Sequence, residues 1–436
     1  MIRSFMERVR GALPNGTLSV GGGLFVSGIT AYGFLVISAR ALGPERYAPL
    51  SILWTLVFLA APGFFLPLEQ ELGRRIADSR AARATDPTIM RRMLRAGIVL
   101  TAALVAVTLI ASSPILDRLL DDQVLLWFAL VLSFVTYGCA YLIRGALSGN
   151  GMFNHYGMIV GGEGVLRFAA CAALAYFGVS SAGPYGLVVG LAPLVALAAL
   201  PVRPTAAVDH VADTRRLSAA LAYLLVSSVL AQALINAGPV AVKLLATEAE
   251  GPEAGRFLVG LVMARVPLFM FQAVQAAMLP KLAQLAGSGR REEFRRALER
   301  ILLVVAAIGV IATAGAYWVG PRILSILFGS EFALGGRDLA LLAAASALCM
   351  SVIAFTQALI ALSAHAQVAW GWLTGVVVFV LVTAAGSDLL LRVEIGFFAG
   401  AAAAALVMGG LTMLRFIHTR EAATPQLLAA EYAHTS

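Results

Sequence analysis

Three cationic side chains, Arg167, Lys243 and Arg265, lie inside stretches that are otherwise apolar and long enough to cross a membrane. An ionised group at the centre of a bilayer costs roughly 2.5–3.5 kcal/mol on insertion scales, so such residues mark ion pairs or functional sites. A desolvated guanidinium can bind a phosphate group through two parallel hydrogen bonds. These cations therefore predict either buried ion pairs or a binding site for a phosphate-bearing substrate.

Glu163 precedes Arg167 by four residues, a spacing that places both side chains on one face of a helix as a mutual pair. The pair is either purely structural or part of a transport pathway, and the sequence favours neither. Glu163 and Glu69 are the two candidates for a carboxylate that carries a coupling proton. Arg144 is a candidate for binding substrate. Glu69 and Arg144 both lie near predicted helix ends, so the alternative for each is that it only anchors a helix end.

Arg265 is the strongest single candidate, because no acidic residue lies within one turn of it on its own predicted helix. It must therefore find a partner elsewhere or face water. Gln272 follows on the same face seven residues later, Gln275 flanks it, and Pro267 predicts a bend.

The preceding predicted helix carries Gln232, Asn236 and Lys243, and Gly238-Pro239 interrupts it. Polar side chains on two neighbouring helices predict a hydrated internal cavity, so all of these residues are candidates for binding substrate. For Lys243 the alternative is that its long side chain extends to the outer interface.

The chain has no nucleophile elbow, phosphate-binding glycine loop, zinc-ligand spacing or paired catalytic carboxylates. Cys139, Cys171 and Cys349 lie far apart in apolar runs, which is typical of small buried hydrophobes. We therefore expect no enzyme activity, no cofactor and no metal. The net charge of +8 is concentrated at predicted membrane edges, which argues against nucleic acid as a partner.

The composition is that of a membrane protein: 60% of the chain is hydrophobic, only 13% is charged and the mean hydropathy is +0.87. Membrane-spanning segments must therefore position the candidate residues. A bilayer core about 30 Å thick needs roughly 20 apolar residues per helix, and the runs lack the alternation of a barrel. We predict an all-α polytopic membrane protein with about twelve transmembrane helices, near residues 17–39, 48–70, 96–116, 124–147, 156–178, 184–203, 217–245, 256–280, 301–320, 338–363, 367–386 and 394–416.

Lys and Arg avoid every second gap between these segments. With both termini in the cytoplasm, 22 of the 32 Lys and Arg residues lie inside, seven lie outside and three lie in the membrane. The positive-inside rule selects this orientation.

Short segments of similar sequence in the two halves of the chain predict a parallel internal repeat. Residues 90–94 (MRRML) resemble 294–298 (FRRAL), each in an inner loop after the second helix of a half, and two further such pairs follow in the same order. The predicted domains are an N-lobe (1–205), a C-lobe (206–420) and a cytoplasmic tail (421–436). The alternative is chance matching in apolar sequence.

Several segments resemble the multidrug/oligosaccharidyl-lipid/polysaccharide exporter superfamily, and more narrowly its bacterial polysaccharide-biosynthesis flippases. These segments are 39–47 (ARALGPERY), 144–149 (RGALSG) followed by Phe153 and Tyr156, 265–281 (from RVP to MLPK) and 327–329 (LFG).

The resemblance implies two six-helix lobes around a central V-shaped cavity that opens alternately to each side of the bacterial cytoplasmic membrane. The implied substrate is a polyprenyl-pyrophosphate-linked glycan, with polysaccharide-assembly proteins as further partners. Family members line the cavity with cations, and Arg265, Arg167 and Lys243 occupy comparable positions.

The chain departs from the drug-exporting branch, because the predicted first helix, 17–39, has no Asp or Glu to serve as a cation-coupling carboxylate. A small-molecule or drug exporter of the same fold, working as a cation antiporter, is nevertheless the main alternative. A membrane glycosyltransferase or polymerase would need a large catalytic outer loop, and no predicted outer loop exceeds about twenty residues. A scaffold that no longer transports is the last alternative.

Overall fold

The computed structural model describes the backbone of residues 17–81, 87–199, 215–247 and 250–434, and most side chains within these ranges. It describes no side chains for 17–18, 81, 87–89, 195–199, 215–221, 270, 272–277, 280 and 416–434. In the described ranges the regular elements are all helical, which confirms the predicted all-α fold.

The α-helices of these ranges, in chain order, are α1 (Thr17–Ala60), α2 (Leu66–Ala81), α3 (Pro87–Ile110), α4 (Ser112–Leu119), α5 (Val124–Gly149), α6 (Phe153–Tyr176), α7 (Ala182–Ala199), α8 (Arg215–Asn236), α9 (Gly238–Leu245), α10 (Glu253–Ala264), α11 (Val266–Gly287), α12 (Arg291–Trp318), α13 (Gly320–Phe328), α14 (Gly336–Ala361), α15 (His365–Ala385) and α16 (Leu389–His434). A π-helical turn (Ala61–Phe65) joins α1 to α2, and a 3-10 turn (Ser330–Phe332) follows α13.

Eight helical runs of the described chain are long and apolar enough to cross a membrane, and a bent pair makes a ninth candidate. The first run, Ser19–Arg80, has 62 residues and covers two of the predicted segments. The predicted segment 184–203 falls on a short apolar helix, and 256–280 is broken into α10 and α11. The described parts of all twelve predicted segments are therefore mainly helical.

The predicted gap between the helices at 17–39 and 48–70 contains a break, but the break is shorter than predicted, because helix continues on both sides of Gly43. At Gly43 the backbone adopts φ 70° and ψ 168°, within a run otherwise assigned as helix from Thr17 to Ala60. A positive φ is strained for residues with a side chain, so glycine suits this position. Pro44 follows and has no amide hydrogen to continue the helical ladder.

Two further breaks lie where proline follows within two residues. The segment Ala222–Asn236 meets Gly238–Leu245 at 58°, next to Pro239. Arg265 separates α10 from α11, and Pro267 is the second residue of α11. The sequence predicted that Arg265 lies inside one continuous helix. Arg265 instead lies at the junction between two helices.

The chain divides into two compact units, and each is described by itself. Unit 1 comprises residues 1–262 and 321–334, and unit 2 comprises 263–320 and 335–436. The lobes at 1–205 and 206–420 and the tail at 421–436 stay predictions.

In unit 1, α1 packs along α6, and α5 packs against α7 and α2. A Cβ atom on Gly157 would lie 2.2 Å from the Ser19 carbonyl oxygen, and one on Gly23 would lie 2.3 Å from the Gly157 oxygen. Only glycine allows the two backbones this approach, as small residues do in membrane bundles. In unit 2, α14 packs against α12 and α16, and α15 packs against α16.

Candidate functional site

A buried triad of charged side chains, Arg144, Glu163 and Arg167, lies between α5 and α6 in unit 1. Arg144 Nη2 donates to Glu163 Oε2 at 2.6 Å, and Arg167 Nη1 donates to Glu163 Oε1 at 3.3 Å. Glu163 is 4% exposed and Arg167 only 2%. The predicted pair of Glu163 with Arg167 is therefore present, but it is part of a larger cluster.

Tyr137 on α5 completes the hydrogen bonding of the carboxylate. Its hydroxyl donates to Glu163 Oε1 at 2.9 Å and accepts from Arg167 Nη1 at 3.2 Å. Glu163 thus accepts three hydrogen bonds, which compensates an ionised carboxylate for the water lost on burial. These contacts hold α5 to α6, and they use both carboxylate oxygens of Glu163.

Aromatic rings cover the faces of both guanidinium groups. The Arg167 guanidinium carbon lies 5.4 Å from the centroid of Trp54 and 5.8 Å from that of Phe58, both on α1. The Arg144 carbon lies 4.8 Å from the centroid of Tyr141. These distances permit cation–π attraction and fix the planes of the two groups.

The Nε atoms of the two arginines, Arg144 and Arg167, are buried and have no hydrogen-bond partner among the described residues. A buried donor left unsatisfied costs about 1–3 kcal/mol. Each guanidinium therefore has binding capacity that the described protein groups do not use.

Glu69 forms a second buried site beside the triad. Tyr156 on α6 donates to its Oε1 at 2.7 Å, while the buried Oε2 has no hydrogen-bond partner among the described residues. A Cβ on Gly145 would lie 2.7 Å from the Glu69 carbonyl oxygen, so α2 and α5 are in close contact here. Glu69 is close enough to interact electrostatically with Arg144.

Two of the polar residues predicted on the seventh helix, Gln232 and Asn236, bind to each other, and Asn236 also binds to the end of α1. Asn236 Nδ2 donates to Gln232 Oε1 at 2.8 Å and to the Phe58 carbonyl oxygen at 3.4 Å. Ser228 Oγ donates to the Pro62 carbonyl oxygen at 3.2 Å. Phe58 also covers the face of Arg167. Phe58 therefore contacts both Asn236 and the triad.

Lys243 lies beyond the helix break, apart from Gln232 and Asn236. Its ammonium donates to Asp121 Oδ1 at 2.7 Å, and only 10% of its side chain is exposed. The pair lines a cavity of about 480 Å³ together with Glu45, Asp117, Arg118, Leu244, Ala246, Thr247, Gly251 and Pro252. Asp121, in a predicted outer loop, therefore holds Lys243 in place.

Arg265 is 7% exposed and belongs to unit 2. Its guanidinium carbon lies 6.0 Å from the centroid of Phe397. The side chains of Gln272 and Gln275 lie outside the described residues. Among the candidates, the structure brings together Arg144, Glu163, Arg167 and Glu69, and it separately joins Gln232 to Asn236.

The sequence analysis did not assign Tyr137 and Trp54 to a site, and it used Tyr156 only as part of the family resemblance. One signal was available: Tyr137, Tyr141 and Arg144 are spaced four and three apart, which places them on one helical face. Within the described residues no group of three or more His, Cys, Asp or Glu side chains is arranged to hold a metal ion.

No known family model matches the chain. In sequence it is similar to uncharacterized proteins of Mycobacterium tuberculosis. It is 26% identical to Rv1510 over 404 residues, which cover 89% of this chain and 91% of that protein. It is 25% identical to Rv3630 over 397 residues, which cover 87% and 86% of the two chains.

In structure the chain is similar to solved transporters. It matches an inward-facing multidrug resistance MATE family transporter of the MOP superfamily with a TM-score of 0.75 and 14% identity, over 91% of this chain and 96% of that one. An outward-facing transporter of the same description gives a TM-score of 0.64 at 13% identity, over 93% and 96%. A Vibrio cholerae MATE transporter gives 0.63 at 14% identity, over 93% and 99%. The chain is therefore a multi-pass membrane protein with the fold of the MATE transporters of the MOP superfamily.

Proposed function

We propose that this chain is a membrane transporter that moves a polyprenyl-pyrophosphate-linked oligosaccharide across the bacterial cytoplasmic membrane by alternating access. Both termini lie in the cytoplasm, and polysaccharide-assembly proteins are its partners. The fold supports transport, and the resemblance of the sequence to polysaccharide flippases supports the substrate.

The observation that carries the substrate class is the charge of the buried triad. Arg144 and Arg167 share one carboxylate, that of Glu163. Glu69 accepts its hydrogen bond from a neutral phenol and does not bind either guanidinium directly. A poorly compensated cation in a low-dielectric interior attracts an anion more strongly than it would in water, so the triad suits a pyrophosphate.

The geometry of the guanidinium groups supports the same substrate. Trp54 and Phe58 cover the face of Arg167, so a ligand must approach its edge. The edge carries Nε, which has no partner among the described residues. Pyrophosphate oxygens that accept from the edge would form the paired hydrogen bonds that favour arginine over lysine.

The lipid tail needs no site of its own in this proposal. Its hydrocarbon can remain in the bilayer while the charged head group crosses, since the head group is the part that apolar surroundings disfavour. In unit 2 by itself, Arg265, buried beside Phe397, stays a predicted cationic contact for a substrate.

Export of a small molecule or drug is the second candidate function. The solved structures that the chain resembles include multidrug resistance transporters, and this observation favours it. A cationic drug would be repelled by the excess positive charge of the triad, so we rank this function lower.

Purified protein in lipid vesicles distinguishes the two functions. A fluorescent polyprenyl-pyrophosphate oligosaccharide is placed in both leaflets, and its exposure to an added glycosidase is followed with time. We expect the protein to make the inner-leaflet pool accessible, and Arg167→Gln to abolish this gain. Uptake of a lipophilic organic cation with no movement of the glycan lipid would instead establish the second function.

A further inference from the structure

Unit 2 contains a buried carboxyl group that the proposed substrate site does not use. Glu394 lies in the second turn of α16 and is 0% exposed. Neither of its carboxylate oxygens has a hydrogen-bond partner among the described residues. Glu163 is buried to a similar degree but accepts three hydrogen bonds, so the two acids have opposite surroundings.

The charged groups around Glu394 do not neutralise it. Asp338 and Arg337, on α14, are its electrostatic neighbours, but the Asp338 Oδ1 accepts from Arg337 Nε at 2.9 Å and its Oδ2 from the Gly335 amide at 3.1 Å. Asp388, before α16, accepts from the Leu391 amide at 2.9 Å.

The remaining neighbours add no compensating hydrogen bond either. On α16 itself, Arg392 Nη1 donates to the Gly386 carbonyl oxygen at 3.5 Å. α15, which packs against α16, has only one titratable side chain, His365, at its opposite end. Two acids, Asp338 and Asp388, and two arginines, Arg337 and Arg392, therefore lie around Glu394, and none of them hydrogen-bonds to its carboxyl group.

A carboxylate without hydrogen bonds in an apolar interior is unstable as an anion, and proton uptake removes the charge. We propose that Glu394 is a proton-binding site that holds its proton in this conformation and releases it to water when unit 2 rearranges. The step is the dissociation of a carboxylic acid to a carboxylate and a proton. The coupling of this step to transport rests on the proposed function.

Infrared spectroscopy tests the proton occupancy without any substrate. Wild type in lipid should show a C=O band of a protonated carboxyl at neutral pH, and Glu394→Gln should lose it. Glu163→Gln should keep the band, because Glu163 accepts hydrogen bonds from Arg144, Arg167 and Tyr137 and is not the proposed proton-binding group. Identical carboxyl bands in wild type and Glu394→Gln would overturn the proposal, as would a loss of the band only in Glu163→Gln.

The coupling is tested by glycan-lipid movement in vesicles with and without a proton gradient. Wild type should move the lipid faster with the gradient, and Glu394→Gln should lower the ratio of the two rates to about one. The matched control is Glu299→Gln, an exposed acid on α12, which should keep the wild-type ratio. A gradient effect that persists in Glu394→Gln, or stimulation by a sodium gradient alone, would overturn proton coupling at this residue.

The two proposals fail in different ways. If wild type moves no glycan lipid in either condition, the proposed function is wrong, and the infrared result still decides whether Glu394 binds a proton. If the lipid moves but the carboxyl band is unaffected by Glu394→Gln, the substrate proposal stands and the proton site does not.

Discussion

Arg144 Nη2 and Glu163 Oε2 lie 2.6 Å apart, and this buried bond joins α5 to α6. Arg167 and Tyr137 bind the other oxygen of the same carboxylate. One acid therefore holds two guanidinium groups in fixed positions. Glu163 acts through the arginines, which makes it a positioning residue in the proposed site.

Glu163→Gln should lower the free energy of unfolding by about 3–5 kcal/mol, because it removes the only carboxylate that forms ion pairs with the two buried guanidinium groups among the described residues. Denaturant titration in detergent measures this change. Glu299→Gln, on the exposed surface of α12, should change it by less than about 0.5 kcal/mol. Equal stability of the two variants would show that the triad does not hold α5 to α6.

Arg167→Gln should destabilise the protein less than Glu163→Gln, because Glu163 keeps its bonds to Arg144 and Tyr137. In the double variant the two effects should not add, since both residues belong to one network. A double-mutant cycle measures the difference. Strict additivity would indicate that the Arg167–Glu163 contact contributes nothing.

Gly157→Ala should destabilise the packing of α6 on α1, because its new Cβ would lie 2.2 Å from the Ser19 carbonyl oxygen. The matched control is Gly162→Ala on the same helix, where nothing lies within 4 Å of the new Cβ. Alanine there should stabilise the helix by about 0.5–1 kcal/mol. Thermal unfolding of both variants gives the comparison, and a Gly157→Ala protein as stable as wild type would contradict the close approach.

The orientation can be tested with single cysteines in a background without Cys139, Cys171 and Cys349. We expect a membrane-impermeant thiol reagent to label Arg118→Cys in intact cells and to label Arg296→Cys only after lysis. Both positions are exposed, so access decides the result. The reverse pattern would place the termini outside.

The sequence was sufficient for the all-α class, because a membrane interior requires each span to satisfy its own backbone hydrogen bonds, but it did not give the helix breaks and boundaries. It could also predict the pairing of Glu163 with Arg167, which depends only on helical spacing. It could not predict that Arg144 binds the same carboxylate. That contact depends on how α5 packs against α6, which spacing along one helix does not determine.

Glu394 was missed for a related reason. The predicted segment 394–416 begins at this residue, and a charged residue at a helix end normally reaches water. The helix actually begins at Leu389, so Glu394 lies in its second turn and is fully buried. An error of five residues in the predicted helix start therefore made a buried acid look like a surface one.

Binding of a sugar-free polyprenyl pyrophosphate to the purified protein tests the central claim most directly. Wild type and Arg296→Gln, a variant of an exposed arginine on α12, should bind it with the same Kd. Arg144→Gln/Arg167→Gln should weaken binding at least about tenfold, which corresponds to roughly 1.4 kcal/mol. The uncharged polyprenol should bind all three proteins equally. An unchanged Kd for the pyrophosphate in a folded double variant would contradict the account.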